Sequence, residues 1–524
     1  MSNGKPSTGK GINVEKKLEE LRTRLMEIHD LQAAAAVLEW DQTTYMPPGG
    51  ARARARQVAT LGRLAHEKFI EPAIGRLLDD LQPYEEGLPY DSDEASLVRV
   101  ARRDYGRATK IPPAFVAELE NHAAESYQAW TVARPANDFG AVAPYLQKTV
   151  DLSRRYADFF PGYEHIADPL IDEADHGMTA STLRALFTNL RQQLTPIVQA
   201  ISAQPPADDS CLRSIFPKIQ QVAFSTEVIK QFGYDLNRGR QDISPHPFTI
   251  NFSVGDVRIT VRVQESFLGE ELFSAFHEAG HAMYEQGVGR GLEGTLLAEG
   301  TSAGVHESQS RLWENTVGRS RGFWSHFYPR LQAIFPDQLA AVPLDAFYRA
   351  INKVEPSLIR TDADEVTYNL HVMLRLDLEL ALLEGSLAVQ DLPGAWRERF
   401  RADLGIVPPD DRDGVLQDVH WYGGVIGGRF QGYTLGNILS AQFYESALQA
   451  KPQIPEEIAE GKFNTLHTWL KDEIYQHGRK FTAPELIERV TGGPMRIEPY
   501  IRYLWEKYGE LYAHPDWTHN PAAK

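Results

Sequence analysis

Phe276-His277-Glu278-Ala279-Gly280-His281-Ala282-Met283-Tyr284-Glu285-Gln286-Gly287 is the stretch around which the rest of this chain is organised, and it contains His-Glu-x-x-His. On a helix, residues four apart share a face, so His277 and His281 can aim two imidazole nitrogens at one metal ion. Glu278 sits one position along, off the ligand face but close enough to reach a water on the same metal, which suits a general base. Glu270, Glu271 and Leu272 lead into the helix, Phe273, Phe276, Met283 and Tyr284 give it apolar positions, and Gly287 can end it. Gly280 costs about 1 kcal/mol inside a helix relative to Ala, which points to another backbone passing close by.

Two histidines and an acid can meet on a helix by chance in a chain with 16 histidines, so a third ligand is needed. The motif in which that ligand is a downstream histidine does not fit, because Tyr284 and Gly287 stand where it wants Gly and His. A carboxylate from a later helix is the remaining choice. His306-Glu307-Ser308-Gln309-Ser310 offers one in the segment that must return toward the metal. Glu307 therefore reads as a ligand rather than as a solvated surface charge.

The chain around this motif has 524 residues, 42% of them hydrophobic and 24% charged, ordinary for a soluble globular protein and ample for a large core. Its 54 basic and 71 acidic residues leave a net charge of −17, which speaks against a nucleic-acid partner and for solubility. Cys211 is the single cysteine, so no disulfide forms within the chain, and a reducing compartment, the cytoplasm, is expected. It lies beside the Pro- and Asp-rich loop 204–210 and reads as an incidental thiol. No stretch approaches the ~20 apolar residues of a membrane span, so no membrane partner is expected. Residues 1–12 are polar and read as a flexible tail without the apolar centre of a signal peptide.

Upstream of the motif the patterning is helical. Leu18, Leu21, Leu25, Ile28 and Leu31 predict a long helix over 13–40, broken at 41–50 by Met46-Pro47-Pro48-Gly49-Gly50. Further helices are predicted over about 93–107, 113–130, 141–159 and 181–201, separated by Pro, Gly and Asp clusters. The basic residues Arg52 to Arg63 alternate with Ala on a helix and read as a solvated face. Strand alternation is clear only in 246–252 and 257–263, which with Gly255-Asp256 between them predict an antiparallel hairpin beside the metal helix. Such an edge can accept an extended substrate as an added strand or be merely structural, and both readings stay open. The chain is therefore read as mainly α with a small antiparallel sheet: a single domain over 13–524, with a helical layer at 13–240, a catalytic core at about 241–450 and C-terminal helices at 451–524.

Downstream, a Gly-rich loop over 287–294 leads to a predicted helix at about 297–317 with Glu307 in its middle. Arg360, in Ile359-Arg360-Thr361-Asp362-Ala363-Asp364, either pairs with a nearby acid or clamps a carboxylate by a two-pronged hydrogen bond. A long apolar helix follows, ending near Leu383. Gln417-Asp418-Val419-His420-Trp421 then leads into a Gly-dense stretch and Tyr433, poor core but suited to the wall of an active site.

Taken together, His246-Pro247-Phe248, Asp256-Val257-Arg258-Ile259-Thr260, the 277–281 motif, His306-Glu307-Ser308-Gln309, Ile359-Arg360 through His371, and Gln417-Asp418-Val419-His420-Trp421 resemble, in order, the thermostable zinc metallocarboxypeptidases typified by carboxypeptidase Taq. Trp40-Asp41-Gln42 and Met46 to Gly50 extend the resemblance over nearly the whole chain. It implies a deep-grooved helical metallopeptidase of the gluzincin type, similar in general shape to angiotensin-converting enzyme and neurolysin. It also implies a homodimer, broad action on peptide C-termini, and one zinc per subunit, with cobalt or another divalent ion as a substitute. By the same resemblance His277, His281 and Glu307 would hold the zinc, Glu278 would be the base, and Arg360 would hold the substrate's C-terminal carboxylate. His420 and Tyr433 would donate to the developing oxyanion, and His246 would line the substrate site. This chain reads Arg429-Phe430-Gln431 where many members have Tyr-Phe-Pro, which bears on Tyr433. Two other readings are an oligopeptide endopeptidase on the same zinc site and an idle peptide-binding protein; the second has no use for Glu278.

Overall fold

The computed structural model describes residues 8–512. The helical periodicity of the first two hundred residues becomes α1 (Thr8–Thr44), α2 (Ala51–Phe69), α3 (Pro72–Glu85), α4 (Asp93–Ala108), α5 (Pro113–Ala136), α6 (Phe139–Asp158), α7 (Asp168–Ala174) and α8 (Ala180–Ser202). Of the tail expected at 1–12, residues 1–7 lie outside the described residues, and α1 is already helical from Thr8. The break after α1 falls at Pro47 and Pro48, which lack the amide proton a helix needs. Ser92, Asp138 and Thr179 start α4, α6 and α8 by accepting from amides one turn ahead. The basic face of α2 is offset locally, with Arg54 on Asp41 at 2.6 Å and Arg63 on Glu67 at 2.8 Å.

Two bodies of apolar side chains hold the chain together. Leu21, Leu25 and Ile28 of α1 pack with Ile74 and Leu81 of α3 and Leu97 and Val98 of α4. Val254, Val288 and Leu292 join this smaller core, which ties the N-terminal helices to segments on either side of the metal helix. The main core takes in most of the remaining helices and includes Phe276, Ala279, Met283 and Tyr284.

After α9 (Lys218–Phe232) come β1 (Gln241–Ile243), β2 (Phe248–Ser253) and β3 (Asp256–Val261), in the spatial order β1-β3-β2. The expected hairpin is present, with Phe248 opposite Thr260 and Asn251 opposite Val257. The sheet as a whole is mixed rather than antiparallel, because β1 pairs with β3 in parallel, Gln241 opposite Ile259. A strand this short carries too little alternation to read from sequence. β2 is an edge strand, and its alternate residues Thr249 and Asn251 reach toward the next helix.

That helix is α10 (Leu268–Gly287), which ends at Gly287. The return helix, expected from about 297, begins later as α11 (Ala303–Arg311), where Ser302 caps it by accepting from the Val305 amide at 3.1 Å. It passes without a break into a π-helical turn, Leu312–Val317, of the kind that often marks functional sites. α11 lies along the helix Gln431–Ala450, and a side chain at Gly436 would collide with the stem of Glu307. Among the described residues no helix is long and apolar enough to cross a membrane.

Candidate metal centre

α10 carries His277 and His281 one turn apart, and α11 brings Glu307 against them. One oxygen of Glu307 lies 3.7 Å from His277 Nε2 and 3.3 Å from His281 Nε2. Donors held tetrahedrally about 2.1 Å from a zinc-like ion stand roughly 3.4 Å apart, so this separation fits an ion between them. All three donor atoms fall within 4.8 Å of one another. Two imidazoles and one carboxylate, with a cavity on the open side, is the donor set of a catalytic rather than a structural site.

Each of the three donor side chains is oriented from behind. His277 Nδ1 faces a carboxylate oxygen of Glu314 at 2.9 Å, an arrangement that holds the proton on Nδ1 and leaves Nε2 for a metal. His281 Nδ1 meets His306 Nδ1 at 2.6 Å, and His306 Nε2 meets Glu285 at 2.7 Å, so a hydrogen-bonded chain runs from His281 to a buried acid. Arg311 Nε donates to the other oxygen of Glu307 at 2.7 Å, and Arg311 and Arg319 both reach Glu314, at 3.3 and 3.2 Å.

These charges decide the protonation states. Burial pushes His281 down to about 3, helped by His306 and His277 and opposed by Glu307, so the ring is neutral as a ligand must be. Burial alone would lower His277, but Glu307 and Glu314 outweigh it and raise it. Burial would raise Glu307, yet Arg311 and His277 hold it well below the usual carboxylate range. Glu278 moves the other way: burial raises its proton affinity, against the pull of His277 and of the Thr249 hydroxyl that donates to it at 2.7 Å.

Across the cavity, Asp418 collects three groups. One oxygen accepts from Arg360 Nε at 3.0 Å and from the fully buried Arg375 at 2.7 Å, and the other faces His420 Nδ1. Arg360 also donates to the Tyr368 hydroxyl at 2.9 Å. Burial opposes ionisation of Asp418, but Arg375, His420 and Arg360 keep it charged. The Tyr433 hydroxyl lies 3.4 Å from His420 Nε2. At the divergent Arg429-Phe430-Gln431, Gln431 begins a helix and donates to the Gly428 carbonyl at 2.7 Å, and Tyr433 still reaches His420.

His246, His277, Glu278, His281, Glu307, Arg360, His420 and Tyr433 all line one cavity of about 620 Å³. Reading the sequence alone does not reveal Glu314, Arg311, Asp418 and Glu285 as the groups that orient them. Glu307, Arg311 and Glu314 follow one another at helical spacings of four and three, a signal that points to two of the four. Cys211 stays outside the cavity, and burial pushes its thiol up to about 11, against a role as a nucleophile.

The comparisons with known proteins agree with this geometry. The model for the carboxypeptidase Taq (M32) metallopeptidases matches residues 20–508. The chain is 42% identical over 497 residues to thermostable carboxypeptidase 1 of Thermus thermophilus, covering 92% of this chain and 96% of that protein. It is 34% identical over 489 residues to carboxypeptidase 1 of Bacillus subtilis, covering 93% and 97%. The crystal structure of an M32 carboxypeptidase from Deinococcus radiodurans R1 is similar with a TM-score of 0.93 at 48% identity, over 95% of this chain and 100% of that one. Motifs, fold and relatives coincide over almost the whole length, and the chain belongs to the carboxypeptidase Taq (M32) family: it is a metallocarboxypeptidase, a hydrolase dependent on a divalent metal.

Proposed function

We propose that the metal is zinc, held by His277, His281 and Glu307, and that the chain removes single residues of broad type from peptide C-termini. The observation that carries this reading is the pairing, in one cavity, of that donor set with a buried, charged Arg360. A zinc ion bound there would lower the pKa of a water to about 7 and polarise the scissile carbonyl. Glu278, steadied by Thr249, takes the proton of the attacking water and hands it to the departing amine. The polar tips of His420 and Tyr433 support the negative charge that develops on the carbonyl oxygen. Asp418 accepts from Nε of Arg360 and the Tyr368 hydroxyl accepts from Nη1, which leaves Nη2 to donate to the substrate's terminal carboxylate. Because Asp418 is shared between Arg360 and Arg375, positive charge is left over for a free C-terminus, and that clamp makes the last residue the leaving group. His246, exposed at the cavity mouth, serves substrate rather than metal. The resemblance supports a homodimer, and the lone cysteine supports the cytoplasm.

The test is release of the C-terminal residue from a blocked dipeptide and from its C-terminal amide, for wild type and Glu278→Gln, with zinc measured in both. Release from the free acid alone, lost in the variant while zinc is retained, is the expected result. Equal cleavage of the amide would remove the carboxylate clamp and favour an endopeptidase.

A further inference from the structure

The cavity has a second cation in its wall. Trp130 and Arg134 are four residues apart near the end of α5, so they share a face, and both line the cavity. Trp130 is pinned: its Nε1 donates to the Leu416 carbonyl at 2.8 Å, and its ring stacks on Tyr422 at 6.2 Å. This face of α5 therefore abuts the segment that carries Asp418 and His420. The Arg134 guanidinium lies 5.7 Å from the Trp130 ring centroid and makes no hydrogen bond or ion pair among the described residues. The other arginines around the cavity are committed, Arg360 and Arg375 to Asp418 and Arg311 to Glu307. A helix C-terminus favours a cation in its last turn, but a side chain turned to open solvent would serve that purpose equally.

We propose that Arg134 sets the charge preference for the residue that leaves, favouring peptides whose C-terminal side chain is itself a carboxylate. This rests on the reading of Arg360 as the clamp for the terminal carboxylate. With that carboxylate held by Arg360, the side chain of the last residue lies in the part of the cavity lined by the flanking Ile359 and Thr361 and, through the Trp130 bond to the Leu416 carbonyl, by Val419, Trp130 and Arg134. An unpaired guanidinium held against an indole face is prepared to take a carboxylate in a two-pronged hydrogen bond. Arg134 is thus a specificity-determining residue and takes no part in the proton transfers.

The experiment uses the metal-loaded enzyme and three blocked dipeptides that share a penultimate residue and end in Glu, Leu or Lys. For Arg134→Gln, kcat/KM on the Glu substrate should fall about tenfold and on the Leu substrate by less than about threefold. Arg134→Glu should reverse the order of Glu and Lys, and Arg134→Lys, which keeps the charge, should retain the wild-type order. Parallel changes on all three substrates would overturn the proposal, as would a Glu-to-Lys ratio that does not respond to the charge at 134. If wild type released none of the three residues, the carboxypeptidase reading itself would fall and this one with it.

Discussion

A Cβ built on Gly280 would stand 2.5 Å from the carbonyl oxygen of Gln309 and 2.7 Å from the Cα of Ser310. α10 and α11 therefore touch backbone to backbone beside His277, His281 and Glu307, so the spacing of those side chains is expected to depend on this contact. Gly280→Ala would gain about 1 kcal/mol in helix propensity. Forcing the helices apart costs roughly 1–3 kcal/mol, so a net loss of stability is expected together with weaker metal retention. Denaturant midpoints and metal content after dialysis against a chelator would measure both. A variant with unchanged midpoint and full metal would show that the contact does not set the site.

Glu314 acts through His277, its oxygen 2.9 Å from Nδ1. Glu314→Gln keeps the shape but removes the charge that orients the ring. Metal affinity is expected to fall about 10- to 100-fold, read by competition with a chromogenic chelator. Unchanged affinity would mean that the packing around the ring holds it without help.

Arg360→Ala removes a cation that the buried Asp418 shares with Arg375 and His420. Release of C-terminal residues is expected to fall by about a hundredfold or more, while metal content stays at the wild-type level. Metal and activity lost in equal proportion would exclude the clamping role.

Glu271 gives a pH signature away from the metal. It is fully buried in α10; the Ser225 hydroxyl donates to one oxygen and the other has no partner. Burial raises its pKa from 4.5 to about 7, with Ser225 and Gln241 opposing. The folded chain thus keeps a proton that the unfolded chain releases above pH 4.5. Stability from this group is complete below that pH, declines as pH rises, and is lost above about 7. Glu271→Gln cannot lose a proton, so the variant should gain on wild type across this window, by on the order of 3 kcal/mol at its upper end. Chemical denaturation of both proteins at pH 5 and pH 8 would show the gain, and a constant difference between them would contradict it.

Much of the site is legible in the sequence because its signals are local. His277, Glu278 and His281 lie within two turns of one helix, and the hairpin over Phe248 to Val261 shows strand alternation on both sides of Gly255. α11 starts later than the pattern predicts because Leu297 and Ala298, apolar enough to suggest helix, are drawn instead into the small core beside α1. The strand β1 escapes sequence reading because its pairing with β3 is made by main-chain groups and leaves no periodic trace in three residues.

By itself the sequence determined the helical class, the placing of His277, Glu278 and His281 on one helix, and the order of the segments that carry the remaining groups. Those are properties of spacing along one chain, governed by the 3.6- and 2-residue periods. Only the tertiary structure decided that Glu307 meets the histidines at 3.3 and 3.7 Å, that Glu314 stands behind His277, that Asp418 gathers Arg360, Arg375 and His420, and that Arg134 lines the groove without an acidic partner among the described residues. Distances between segments far apart in sequence are set by how closely backbones can approach, as at Gly280 and Gly436, and no local period carries that information.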